Sequence, residues 1–195
     1  MDHQEIGKHL KSIFDKSFQA DISLWIAFSK CMVSKTYKKN EIIKRANETE
    51  KYLNFVLNGS IGTFISNKGD ETCISLTVND NFSADYFSFL KQKPSLIYTV
   101  ALENTEVLSI SYRELAALYA KAPSSVWLGK TIAEQLFIQR QQIQIDFLTL
   151  SAKERYLKLL AEKPAIIQKV SLKYIASYIG VTPESLSRLR KEIVS

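Results

Sequence analysis

An α+β fold, with a small antiparallel β-roll set between helical segments, is predicted by three features of this 195-residue sequence. Apolar residues fall at three- and four-residue steps up to residue 30, alternate from Thr36 to Ser111, and return to helical steps thereafter. Six to eight short strands separated by turn residues over about 75 positions argue for a roll or jelly roll. The excess positive charge is gathered at the C-terminal end.

Each element has its own signal. Ile6, Leu10, Ile13 and Phe14, then Leu24, Trp25 and Phe28, read as one or two short helices. In "KYLNFVLNGSIGTFIS", Leu53, Phe55 and Leu57 share one face before a turn at Asn58-Gly59. "SNKGDE" is a second turn, ahead of a strand in which Ile74, Leu76 and Val78 alternate with Cys73, Ser75 and Thr77. "LIYTVALENTEVLSIS" holds two more strands around Glu103-Asn104.

After Ser111 a short helix, "SYRELAALYAKAP", leads to Pro123, which suits the first position of a long helix without internal proline. That helix carries two apolar stripes. Ile132, Leu136, Ile143 and Leu150 form one; Val126, Ala133, Phe137 and Leu148 lie to one side. The roll covers only one face, so the other is expected to meet the same helix of a second chain, in a seam assigned to Ile132, Leu136 and Ile143 and interrupted by Gln139 and Asp146.

The last segment opens at Ser151, which forms a capping-box pattern with Glu154. Pro164 closes its first helix, and "AIIQKVS" is expected to be a short strand or extended link. "SLKYIASYIGVTPESLSRLRKEI" then holds two helices on a tight elbow: Ile175 and Ile179 inward, small Ala176 at the close approach, Gly180 able to take positive φ, Thr182 as N-cap and Pro183 at N1. Leu186, Leu189 and Ile193 face back, leaving Glu184, Ser185, Arg188 and Lys191 outward. This is the helix-turn-helix pattern, whose second helix enters a major groove. The boundaries expected are residues 1–122 for the roll, 123–150 for the long helix and 151–195 for the helix-turn-helix.

Composition narrows the function classes. Residues 151–195 hold nine Lys and Arg against four Asp and Glu, while the first 150 hold seventeen against sixteen. A compact basic module on a near-neutral body suits phosphate backbones, where each neutralised phosphate releases counterions. No apolar run approaches the roughly 20 residues that span a bilayer, and the charged N-terminus is unlike a signal peptide, so a cytoplasmic protein with no membrane partner is expected. Cys31 and Cys73 stand alone and His3 and His9 share no ligand spacing with them, so no metal and no cofactor is expected.

Together these residues resemble the Crp/Fnr family of bacterial transcription regulators over nearly the whole chain, with "GVTPESLSRLRKEI" similar to the family's Gly-x-Ser-Arg-Glu-Thr-Val-x-Arg pattern. The resemblance implies a double-stranded β-helix of the cyclic-nucleotide-binding kind, a dimerisation helix, and a winged-helix-type module whose wing is truncated after Ile193. It implies a homodimer on a pseudo-palindrome of double-stranded DNA, with Glu184, Ser185 and Arg188 at base edges. Lys173, Arg188, Arg190, Lys191 and helix N-termini are expected to supply affinity at phosphates, with Thr182 completing the DNA-binding face. RNA polymerase and a small-molecule effector are further candidate partners. Pro183 stands where relatives carry an arginine.

The effector pocket departs from the family pattern. Phe82 matches, but Ala84 replaces the glycine and Asp85 the glutamate of the phosphate cassette, and Ser95-Leu96 replaces its Arg-Ser/Thr pair. Without that arginine a buried phosphate lacks its charge-assisted partner, so cyclic AMP is not the expected ligand; Lys91 and Lys93 are the nearby substitutes for the missing charge. No catalytic set emerges, and a metal-dependent roll of the cupin kind lacks its clustered His and Glu ligands. The rival class is a ligand-binding sensor or protein-interaction module without sequence-specific DNA binding.

Overall fold

The period-two region folds, in a computed structural model describing residues 1–67 and 70–194, as two four-stranded antiparallel sheets. Strands β1 (Val33–Tyr37), β3 (Tyr52–Asn58), β6 (Phe82–Ser83) and β8 (Thr105–Ser111) make the first, ordered β1-β8-β3-β6. The second, ordered β2-β7-β4-β5, comprises β2 (Ile42–Lys44), β4 (Ser60–Asn67), β5 (Asp70–Val78) and β7 (Ile97–Ala101). Consecutive strands β3 and β4 therefore lie in different sheets. The Asn58-Gly59 turn carries the chain across the roll instead of closing a hairpin, with Gly59 at φ 108° and the Thr105 backbone where a Cβ would sit. β4 and β5 do form a hairpin; the Lys68-Gly69 tip of its expected turn lies outside the described residues.

Helices bracket the roll. α1 (His3–Phe14) starts on a capping box between Asp2 and Glu5, and α2 (Ile22–Lys30) on Asp21. Ile6, Leu10 and Phe14 pack with Trp25 and Phe28 onto Leu53, Phe55, Leu108 and Ile110 of the first sheet. α3 (Tyr86–Lys91) is a single short helix between β6 and β7, and α4 (Tyr112–Lys121) leads to the long α5 (Ser125–Thr149). Val56 and Val107 meet Ile61 between the two sheets.

α5 corrects two expectations. Pro123 lies in the turn before the helix, which begins at Ser125. More importantly, the stripes are exchanged: Leu128 and Ile132 join the core beneath α1 and α2, and Leu136 packs against that core. Ile132 is 2% exposed within one chain, so it cannot serve a second. Ile143 is half-buried beside α6 (Ala152–Glu162). The stripe left outward contains Phe137 and Leu148, at 64% and 79% exposure, with Ile138 and Ile145 beside them.

Residues 164–169 also differ, forming helix α7 (Pro164–Lys169) instead of a strand. Pro164 at the first position presets φ for a helix, and Ile166 and Val170, four residues apart, are both buried. α8 (Leu172–Ile179) and α9 (Pro183–Val194) follow. Their core, including Ile166, Ile175, Ile179 and Leu186, is continuous with Phe64, Cys73, Leu76 and Leu102 of the roll. No helix among the described residues is long and apolar enough to cross a membrane.

Candidate functional site

The α8–α9 elbow is built by its own residues. Gly180 takes φ 77° at the end of α8, and the Val181 N–H returns to the Ala176 carbonyl at 2.9 Å, which closes α8 with a Schellman-type turn. The Thr182 hydroxyl accepts the Ser185 N–H at 3.2 Å and opens α9 at once. Ile175, Ala176 and Leu186 are fully buried at the crossing, while Leu189 and Ile193 pack on its margin.

That packing decides what faces outward. Glu184, Arg188, Arg190 and Lys191 are exposed on α9, Ser185 is half-buried near its start, and Thr182 is exposed at the cap. Lys173 is exposed on α8, its ammonium 5.9 Å from the Tyr174 ring centre. The Glu184 carboxyl is held below the usual range by its own backbone N–H, then by the Thr182 hydroxyl and the Arg188 charge. All seven residues assigned to the DNA-binding face lie in the elbow and its two helices, six of them exposed.

Two joints fix this unit. At the α5 end, Lys158 bonds the Asp146 carboxylate at 2.8 Å, so the aspartate that interrupts the α5 stripe has an intrachain partner. Burial works against the Asp146 anion, but the bonds from Lys158 and Gln142 keep its carboxyl below the usual range. Arg155, which the sequence showed only as part of a capped helix, donates from Nε to the Ile179 carbonyl at 3.0 Å and lies 4.6 Å over the Phe147 ring. On the roll side the Ser177 hydroxyl accepts the Cys73 N–H at 2.8 Å, and Tyr174 packs on Phe64 with ring centres 5.0 Å apart. Cys73 is buried there, its thiol pushed up to about 12 by desolvation; it is inert as a nucleophile.

The cleft expected from the sequence to hold an effector lies where β6, α3 and β7 meet. Asp85 caps α3 by accepting the Ser88 N–H at 3.2 Å. Its other oxygen receives the Lys44 ammonium at 2.8 Å and the Ser95 hydroxyl. Lys44 also donates to Ser95 Oγ at 2.9 Å and to the Ile97 carbonyl at 2.6 Å. Glu50, buried behind them, accepts the N–H groups of Tyr52 and Asp85 at 3.2 Å each, and burial pushes its carboxyl up.

The structure brings together some of the residues expected in the pocket and not others. Phe82 and Ala84 are buried and line the cleft with Asp85, and Ser95 turns in to Asp85. Leu96 does not belong: it is 58% exposed, as the outward neighbour of an inward residue must be on an extended chain. Lys91 and Lys93 are exposed and take no part. The cation is Lys44, which sequence periodicity missed because a register shift in β2 between Ile42 and Lys44 turns the lysine inward while Ile42 stays 44% exposed.

Beside this cluster a cavity of about 470 Å³ separates the roll from α5. Phe82, Phe87, Leu90 and Ile97 line its roll side, and Leu136 and Phe137 its helix side.

Comparison with known proteins fits this geometry. Residues 34–122 match the family model of the cyclic nucleotide-binding domain. No curated protein matches the chain in sequence. Among solved structures the chain is similar to FixK2 from Bradyrhizobium japonicum, with TM-score 0.72 and 15% identity over 83% of this chain and 84% of that one. It is similar to the c-di-GMP responsive global regulator CLP of Xanthomonas campestris, with TM-score 0.69 and 18% identity over 89% and 91% of the two chains. The Thermus thermophilus catabolite activator protein gives TM-score 0.58 and 16% identity over 93% and 86%. At these identities the likeness is one of fold.

Proposed function

Starting from a chain with the Crp/Fnr fold and a cyclic nucleotide-binding domain at residues 34–122, we propose that the protein is a transcription regulator that binds a pseudo-palindromic operator as a homodimer. The observation that carries this reading is the division of α9: Leu186 is buried against α8, while Glu184, Arg188 and Lys191 are left in water on the opposite side. Arg188 and Glu184 suit base edges, with Ser185 beside them, since guanidinium and carboxylate match distinct major-groove patterns. Lys173, Arg190 and Lys191 suit phosphates, with Thr182 at the helix start.

Dimerisation is assigned to the outward stripe of α5, through Ile138, Ile145 and Leu148. Ile138 and Leu148 are 65% and 79% exposed, a row of large apolar groups that a second copy of the helix would cover. Two recognition helices then read two half-sites, and linkage makes the pair far tighter than either alone. The cleft between roll and α5 is the effector site, placed to bias the two against each other.

Selection from a randomised DNA pool tests the function. A two-fold symmetric motif is the expected result; indifference to DNA would favour the sensor or protein-interaction reading.

A further inference from the structure

The cavity between the roll and α5 has two chemically different walls. One is carbon: Phe87, Leu90 and Phe137 line it while remaining 67%, 52% and 64% exposed, a concentration of wet apolar surface that soluble chains avoid unless something covers it. The other is hydroxyl. Thr63, Ser75 and Thr77 from the β4–β5 pair line it, and Thr63 stands in register with both Ser75 and Thr99. Thr99, beside Thr63 on β7, is 2% exposed and its Oγ1 has no hydrogen-bond partner among the described residues, a cost for a buried polar atom.

The electrostatics of the cleft are closed within the chain. An ammonium has three donors, and those of Lys44 are met by Asp85, Ser95 and the Ile97 carbonyl. An entering anion would find that cation occupied and the Asp85 carboxylate beside it. Arg140 lines the cleft from α5, donates to the Ile74 carbonyl at 2.8 Å, and has its guanidinium partly desolvated beside the Asp85 charge, so it too is answered from within the chain.

We propose that the cleft takes an uncharged, flat apolar molecule bearing one or two hydroxyl or carbonyl groups. Its ring lies against Phe87 and Phe137 and its polar edge meets the hydroxyls of Thr63, Ser75 and Thr77. The volume of about 470 Å³ falls within the range of about 300–1,000 Å³ typical of small-molecule sites. Because one wall belongs to the roll and the other to α5, the ligand binds best when both are in place, which is the differential affinity that a switch requires. This deepens the effector reading of the cleft, and its test reads binding directly, so its failure leaves the DNA-binding reading to stand or fall on motif selection.

A matched pair of probes isolates charge: 2-naphthol, neutral at pH 7, and 2-naphthyl phosphate, the same ring with an anion. Isothermal titration of the full chain should show 2-naphthol binding, with the phosphate weaker by about a hundredfold or more, since its charge would be desolvated without a free partner. Ala133→Phe, which fills the cavity from α5, should abolish the 2-naphthol signal. Thr63→Val, a milder variant that keeps volume and removes a hydroxyl, should weaken 2-naphthol about five- to tenfold while leaving naphthalene unchanged. Circular dichroism checks that both variants are folded, and the Thr63→Val comparison decides if Ala133→Phe is not. No 2-naphthol binding, equal or tighter binding of the phosphate, undiminished binding in folded Ala133→Phe, or an unchanged naphthol-to-naphthalene ratio in Thr63→Val would each overturn the proposal.

Discussion

Lys44 Nζ lies 2.8 Å from Asp85 Oδ2, with side chains 3% and 1% exposed, so each charge of this pair is balanced inside the chain. Removing one partner strands the other in a low-dielectric site. Lys44→Met should therefore destabilise the protein by about 3–5 kcal/mol, and the double variant with Asp85→Asn should recover part of that loss. Urea unfolding measures both. A double variant no more stable than Lys44→Met would show that the pair acts by geometry, through the α3 cap, and not by charge.

How much of this was legible depended on whether a neighbour's choice was involved. The helix-turn-helix was legible almost residue by residue because its signals are local: Gly180 for a positive φ, Thr182 for a cap, Leu186 for the crossing. The α5 stripes were legible as stripes, but periodicity does not say which stripe meets the roll, and Ile132 was placed on the wrong side. Lys44 was illegible because its inward turn depends on a register shift between β2 and β7, a property of two strands 50 or so residues apart in sequence and not of either one. The α7 helix was missed for a smaller reason: a short apolar run fits a strand and one and a half helical turns alike.

Arg188→Ala should remove about 1–3 kcal/mol of discrimination at one base step of the selected motif if, as proposed, its outward guanidinium meets a base edge. Lys191→Ala should weaken binding to all sequences alike and shallow the salt dependence. Selection and salt titration with each variant check this. An unchanged motif for Arg188→Ala would mean that another face of α9 enters the groove.

Ile138 and Leu136 should part company. Ile138→Asp places a charge on the outward stripe and should give folded monomers with weak DNA affinity, seen by light scattering and gel shift. Leu136→Asp strikes the core beneath α1 and α2, where Leu136 packs, and should lower thermal stability before it affects assembly. A dimer that survives Ile138→Asp would move the seam elsewhere.

Glu50 should give the fold a particular dependence on pH. Burial raises its carboxyl above the usual 4.5, with the Asp85 charge adding to it and the Tyr52 and Asp85 N–H groups and Lys44 opposing. A group raised in this way binds more protons folded than unfolded. Its contribution to stability is therefore fully present below pH 4.5 and is lost as pH rises through the folded value. Glu50→Gln removes the titration and leaves one of the two N–H groups facing an amide nitrogen, so it should be destabilising at low pH. Unfolding measured from acid to neutral pH should show the advantage of the unsubstituted protein over Glu50→Gln shrinking as pH rises. A gap that widens instead would mean that Glu50 is held ionised in the folded protein, with Lys44 shared between two carboxylates.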